Sequence, residues 1–125
     1  MQQVTPYLLY EDGEAAIEFL IRAFGFREVD RAIGGAGGLH VELDLEGGRV
    51  YVGQPPSGFE NPAKVGRTSL VYFLIADVDG HFEHARAAGA EIVEAPNDLP
   101  HGHRRYGCRD PQGHESFFAH VLEPQ

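Results

Sequence analysis

The chain has 125 residues, a single cysteine and a formal net charge of −9 at pH 7. This length is typical of one domain that buries enough surface to fold without disulfides. Because nucleic-acid backbones and anionic membranes attract basic proteins, the acidic charge disfavours both as partners, and we expect neither nucleic acid nor membrane binding.

The first half predicts a strand, a helix and three further strands. Asp12 is a suitable N-cap for a helix whose apolar residues Ala16, Ile17, Leu20 and Phe24 recur at helical spacing. Gly25 follows, where a glycine commonly ends a helix. Strands are predicted at residues 4–10, 27–33, 39–45 and 50–52, with a glycine-rich link at 34–38.

The second half predicts the same order of elements. Asp77 or Asp79 caps a second helix that Gly89 ends. His81 and His84 lie three residues apart on this helix, so we expect them to be neighbours on its exposed surface. Strands are predicted at 69–75, from 91 to 94, at 105–109 and at 116–121, with a loop at 97–103.

The two halves match each other in three landmarks that recur after about 65 residues. Tyr-Leu-Leu-Tyr-Glu-Asp at residues 7–12 corresponds to Tyr-Phe-Leu-Ile-Ala-Asp at 72–77, both helices end at glycine, and Asp-Leu-Glu-Gly at 44–47 corresponds to Asp-Pro-Gln-Gly at 110–113. The prediction is an α+β domain of two tandem βαβββ modules. Module one spans residues 1–54, a connector rich in proline and glycine spans 55–67, and module two spans 68–125.

The expected location is the cytoplasm. No run of 18 apolar residues is present, and Met1-Gln2-Gln3 lacks the charged and apolar regions of a signal peptide. Cys108 has no partner for an internal disulfide, so we expect it to be a small residue within a strand.

Two βαβββ modules that close on Asp110-Pro111-Gln112-Gly113 resemble the vicinal oxygen chelate superfamily, which includes glyoxalase I, extradiol dioxygenases, and fosfomycin and bleomycin resistance proteins. Phe24-Gly25-Phe26 is similar to a helix-end element of that group. Gly102-His103-Arg104 with Arg109-Asp110-Pro111 looks most like the bleomycin-resistance branch. His101 and Ser116 stand where relatives carry aromatic residues, which implies a more polar pocket.

Enzymes of this superfamily hold a divalent metal with histidine and glutamate side chains on matching strands. The resemblance places those positions at Thr5, at Ser69 or Leu70, and at Phe117, none of which is an ordinary ligand. His40 and Glu42 are two apart and so share one face of a strand, but two ligands from one strand make a weak site. We therefore expect no cofactor; the alternative is a divalent zinc, nickel, manganese or iron ion.

The resemblance also implies a pocket lined by alternate strand residues from both halves. Aromatic faces and carboxylates in an acidic protein favour a planar or cationic ligand. The candidate ligand-binding residues are Tyr7, His40, Glu42, Tyr51, Tyr72, His101, Tyr106 and Phe117.

The predicted function is small-molecule binding by a metal-free homodimer that sequesters an antibiotic or a metabolite. A competing hypothesis is a metal-dependent enzyme, either a glyoxalase-like lyase or isomerase or a dioxygenase-type enzyme. A third hypothesis is an accessory domain that binds a protein partner. Because one fold serves many functions, this step depends on the resemblance.

Overall fold

The structure is a computed structural model that describes residues 2–33 and 38–123. The glycine-rich link predicted at 34–38 therefore lies, apart from Gly38, outside the described residues. No helix in the described residues is long and apolar enough to cross a bilayer. The elements are β1 (Tyr7–Leu9), α1 (Gly13–Phe24), β2 (Arg27–Ile33), β3 (Leu39–Leu45), β4 (Gly48–Gln54), α2 (Pro62–Val65), β5 (Val71–Leu74), α3 (Val78–Ala87), β6 (Glu91–Asp98), β7 (His103–Arg109) and β8 (Glu115–Val121).

The strands form two four-stranded sheets with the same topology. The first sheet has the order β1-β4-β3-β2, and the second has the order β5-β8-β7-β6. In each sheet the first and last strands of the module pair in parallel, and the other pairs are antiparallel. Tyr7 lies opposite Tyr51 in the first sheet, and Tyr72 lies opposite Phe117 in the second. The predicted repeat of two βαβββ modules is confirmed.

Local capping sets the helix ends that the sequence predicts. The Asp12 carboxylate accepts a hydrogen bond from Ala15 N at 3.0 Å, which satisfies one of the free donors of the first turn of α1. The Asp77 carboxylate does the same for Gly80 N of α3 at 3.1 Å. Gly25 ends α1 with φ 84°, a left-handed conformation that costs glycine little.

Both modules contribute to one hydrophobic core. In β3 the apolar residues Val41, Leu43 and Leu45 are buried, and the residues between them are only partly so. Phe24 at the end of α1 contacts Phe118 of β8, with 5.0 Å between ring centroids. Contacts of this kind bury the inner faces of both sheets together with α1 and α3, so the two modules are packed as one unit.

The Asp-Pro-Gln-Gly turn joins the second module to the first. The buried hydroxyl of Tyr10 donates to the Asp110 carboxylate. The side-chain amide of Gln112 accepts from Asp12 N at 3.1 Å and donates to Asp12 O at 2.8 Å. His114 Nε2 donates to Leu9 O at 2.6 Å. The motif that carries the family resemblance therefore acts as a structural link between the modules.

His84 is exposed, as predicted, but the prediction of an exposed surface position is wrong for His81, which is partly buried. His81 Nε2 donates to Phe24 O at 2.7 Å, and its Nδ1 accepts from the Tyr106 hydroxyl at 2.6 Å. His84 Nε2 donates to Arg22 O at 2.8 Å. Both imidazoles therefore satisfy carbonyls at the end of α1. Burial lowers the pKa of His81, and its backbone bond opposes that shift only in part.

Two irregular segments contain more secondary structure than the sequence predicts. The connector includes the short helix α2. The loop predicted at 97–103 is narrower, since β6 continues to Asp98 and β7 begins at His103. Pro96 lies within a register shift between Glu94 and Asn97, and a bulge of this kind lets a strand include a residue that cannot donate to the ladder.

Candidate functional site

Each sheet has one face turned away from the core, and these two outer faces carry most of the predicted ligand-binding residues. Alternation along the strands places Tyr7, His40, Glu42 and Tyr51 on the outer face of the first sheet. The outer face of the second sheet carries Tyr72, His103, Arg105 and Phe117.

Three rings form an aromatic cluster on the first outer face. The Tyr7 hydroxyl and His40 Nδ1 are 2.7 Å apart and hydrogen-bonded. The Tyr51 ring lies 5.7 Å from the Tyr7 ring and 4.8 Å from His40, measured between centroids. Tyr7 is 50% exposed, so the cluster presents ring surface to solvent. We call Tyr7, His40 and Tyr51 the first cluster.

A glycine in β4 permits the first cluster to form. Tyr7 on β1 reaches His40 on β3 by lying across β4 at Gly53, which pairs with His40. A Cβ atom at residue 53 would lie only 2.6 Å from Cε1 of Tyr7. Any other residue at this position would displace the ring, so Gly53 positions Tyr7.

The carboxylates beside the first cluster are already paired. Glu42 is 3.1 Å from Arg49, and the same guanidinium is 3.0 Å from Asp44. Despite opposing desolvation, hydrogen bonds from Gly47 N and Arg49 and the charges of Arg49 and Arg27 lower the pKa of Asp44. Glu42 is thus part of a charge-compensated network and does not present a free anionic site.

The second outer face repeats the tyrosine–histidine pair with different neighbours. The Tyr72 hydroxyl and His103 Nδ1 are 2.8 Å apart. The Arg105 guanidinium lies over the Phe117 ring, 4.8 Å from its centroid, and also contacts Glu94 at 2.8 Å. A cation therefore already covers one face of the Phe117 ring, which leaves less aromatic surface open here than on the first cluster.

Two predicted site residues lie elsewhere. Tyr106 is fully buried and faces the core. Its neighbour Gly107 pairs with Phe117 of the second outer face, so Tyr106, one residue away along β7, points to the opposite side of the sheet. His101 lies in the turn before β7, with its ring centroid 4.7 Å from that of His103. Sequence reasoning missed His103 itself. Arg105, Gly107 and Arg109 alternate in the sequence with Tyr106 and Cys108, which are buried. This alternation indicates that the odd-numbered residues of β7, His103 among them, face away from the core.

The residues present do not suit a resident metal ion. The register equates His40 with Arg105 and Glu42 with Gly107, so the second sheet places a guanidinium and a glycine where the first has donors. Within residues 2–33 and 38–123, no three His, Cys, Asp or Glu side chains are grouped closely enough to hold an ion. Catalytic zinc sites use three protein ligands, and guanidinium groups cannot serve.

Two hollows flank the first cluster. The larger is about 550 Å³ and is lined mainly by polar side chains, including Thr5, Glu42 and Arg49, together with Tyr51. The smaller is about 240 Å³ and is lined by Tyr7, Leu9, His114 and the connector. The first cluster thus lies between a polar hollow and a second one under the connector.

Duplicated βαβββ modules that pack through their helices and leave one face of each sheet open are the architecture of the glyoxalase and bleomycin-resistance class of fold. The chain belongs to the Glyoxalase/Bleomycin resistance protein/Dioxygenase superfamily, whose family model matches residues 2–116. This confirms the resemblance drawn from the motifs.

Similar structures and a similar sequence support the same assignment. The chain is similar to TioX from a Micromonospora species, with 34% identity, a TM-score of 0.75 and 99% of each chain covered. It shares the fold of the fosfomycin resistance protein FosX from Listeria monocytogenes, with 18% identity, a TM-score of 0.69, and coverage of 98% and 94%. An uncharacterized protein of Mycobacterium bovis is 34% identical over 89% of this chain and 78% of its own length.

Proposed function

We propose that this protein is a cytoplasmic small-molecule binding protein that holds a planar ligand on the first outer face, without a resident metal, as a homodimer. The observation that carries the proposal is the half-exposed first cluster between two hollows. Rigid aromatic rings beside a concave surface with a few polar groups are typical of ligand sites.

Stacking supports the proposal more directly than charge does. Because Arg49 pairs with Glu42 and Asp44, and Arg27 adds a second positive charge beside Asp44, the polar hollow has little local charge left to attract a cation. The net charge of −9 still favours cations at long range. The ligand class is therefore a planar molecule. A positive charge on the ligand would speed its approach to the acidic protein but would add few contacts in the site.

The homodimer is supported by apolar side chains left open around the outer faces. Leu74 is 58% exposed and Val121 is 65% exposed, and both lie on the second outer face. Covering such residues with a second copy removes apolar surface from water. Light scattering after gel filtration should give a mass twice the 13.7 kDa of one chain.

The cytoplasmic location is supported by the state of the cysteine. Cys108 is free and buried, as is usual in reducing compartments. Burial raises the pKa of Cys108 to about 12, which keeps the thiol protonated and unreactive at neutral pH.

The binding proposal is tested with 9-aminoacridine, a planar cation, by isothermal titration of the full chain. We expect Tyr51→Leu to weaken binding about fivefold, since a stacked ring contributes about 1 kcal/mol beyond its area. Tyr72→Leu removes a ring of the same kind from the second outer face and should leave the affinity unchanged. Equal losses in both variants would contradict placement of the ligand on the first outer face.

Elemental analysis tests the metal-free part separately. After dialysis against a chelator, we expect less than one tenth of an equivalent of zinc, nickel, manganese or iron, and an unchanged melting temperature. A stoichiometric metal that resists dialysis would instead favour the competing hypothesis of a metal-dependent enzyme.

A further inference from the structure

The connector, residues 55–67, is fastened across the junction between the modules, and we call it the strap. Glu11 N donates to the Asn61 side chain at 2.9 Å, and Asn61 N donates back to the Glu11 carboxylate at 2.7 Å. Lys64 adds an ion pair with Glu11 at 2.8 Å. Ala63 N donates to Gln112 O at 3.2 Å, so the strap contacts the turn of module two as well.

A pocket of about 240 Å³ lies under the strap, between it and β1. Its walls combine apolar and aromatic side chains from the strap and from the outer face of β1. Leu9 and Val65 are 37% and 63% exposed, so they still present apolar surface there. The apolar and aromatic part of the lining is Tyr7, Leu9, Phe59, Pro62 and Val65.

Two polar side chains that line the strap pocket, Arg67 and His114, already have partners. Arg67 is 3.2 Å from Glu115, and His114 donates to Leu9 O at 2.6 Å. Both side chains therefore direct these polar groups at other protein residues. Glu60, Thr68 and Ser69 add polar groups to the lining, beside the apolar and aromatic side chains that an apolar group would contact.

One residue, Tyr7, belongs to both the strap pocket and the first cluster. Tyr7 lines the pocket, and its ring is 5.7 Å from the ring of Tyr51, which lines the polar hollow. One molecule that stacks at Tyr51 can therefore extend past Tyr7 to reach the space under the strap.

We infer that the strap pocket receives an apolar arm of the ligand, so that the ligand class is a planar molecule bearing a short alkyl or aryl substituent. This inference rests on the proposed function. The polar hollow takes the hydrogen-bonding end of the molecule, the first cluster takes its plane, and the strap covers its arm. A volume of about 240 Å³ is below that of a complete drug-sized site, which suits a substituent of a few carbon atoms.

The test compares 9-aminoacridine with 9-(butylamino)acridine by isothermal titration. Burying four carbon atoms under the strap should make the butyl compound bind at least tenfold more tightly to the wild-type chain. Ser69 lines the pocket, and Ser69→Trp fills it with a large side chain. Ser57→Trp is the matched control, because Ser57 is exposed on the same strap and lines neither hollow.

The expected result is that Ser69→Trp removes the butyl preference and retains 9-aminoacridine binding, with both affinities unchanged in Ser57→Trp. The chain has no tryptophan of its own, so the fluorescence of each new indole also reports its distance from the acridine. A butyl preference that is absent in the wild type, or that persists in Ser69→Trp, overturns the strap pocket and leaves the proposed function standing. Failure of both compounds to bind overturns both.

Discussion

Replacing Gly53 with alanine tests whether the position of one tyrosine ring determines ligand binding. The new Cβ would lie 2.6 Å from Cε1 and 3.1 Å from Oη of Tyr7. Because carbon atoms in contact prefer roughly 3.5–4.0 Å, the ring has to move by about 1 Å. A displacement of this size takes the hydroxyl, now 2.7 Å from His40 Nδ1, out of hydrogen-bonding range.

The expected effect on stability is small. Losing the exposed bond between Tyr7 and His40 costs about 1 kcal/mol at most. Replacing a glycine within a strand by alanine recovers roughly 0.5–1 kcal/mol, since glycine loses more backbone entropy on folding. These two changes nearly cancel, so the melting temperature should change by no more than about 4 °C.

The expected effect on binding is large, because the Tyr7 ring belongs to the first cluster and also lines the strap pocket. We expect 9-aminoacridine to bind Gly53→Ala about tenfold more weakly in isothermal titration. Gly107→Ala is the matched control, since its Cβ would lie 2.5 Å from Cε1 of Phe117 on the second outer face. Unchanged affinity in Gly53→Ala, or an equal loss in Gly107→Ala, would refute the reasoning.

Three further predictions concern the links that hold the modules together. Burial lowers the pKa of His81, so its imidazole takes up a proton at higher pH in the unfolded chain than in the folded chain. The stability that depends on the neutral imidazole is therefore fully present above about pH 6.5 and is lost as the pH falls below that value. Urea titrations from pH 7.5 to 5.5 should show a steeper loss in the wild type than in His81→Gln, and equal slopes would contradict this. Tyr10→Phe leaves the buried carboxylate of Asp110 without its hydroxyl donor and should cost roughly 1–3 kcal/mol in calorimetry, so an unchanged melting temperature would disprove the role. Asn61→Ala removes the side-chain acceptor of Glu11 N, keeps the backbone bond from residue 61 to the Glu11 carboxylate, and should speed tryptic cleavage within the strap at an unchanged melting temperature. Wild-type cleavage rates would show that other contacts hold the strap.

The repeat and the helix ends were readable in the chain because they depend on local chemistry. Asp12 and Gly25 bound α1 through their own side-chain and backbone preferences. The alternation of Val41, Leu43 and Leu45 with polar residues likewise indicates which side of β3 is buried. These features need no distant partner, so a single sequence contains them.

The composition of the outer faces was only partly predictable. The family resemblance implied that Tyr7, His40 and Tyr51 line one surface, and the structure brings them into contact. Tyr106 was assigned to the wrong face, because a shift of one residue in strand register exchanges the two faces of a sheet. His103 was missed, because it was assigned to the preceding loop. Only the pairing of Gly107 with Phe117 decides which β7 residues face outward.

The sequence by itself determined the duplicated βαβββ order, the helix caps and the core-facing side of β3, since each follows from spacing and side-chain type. Tertiary structure alone decided that Arg49 neutralises Glu42, that His81 joins α3 to α1, and that the strap encloses a pocket beside Tyr7. Those features depend on distances between residues far apart in the chain, and such distances are set by sheet register and module packing.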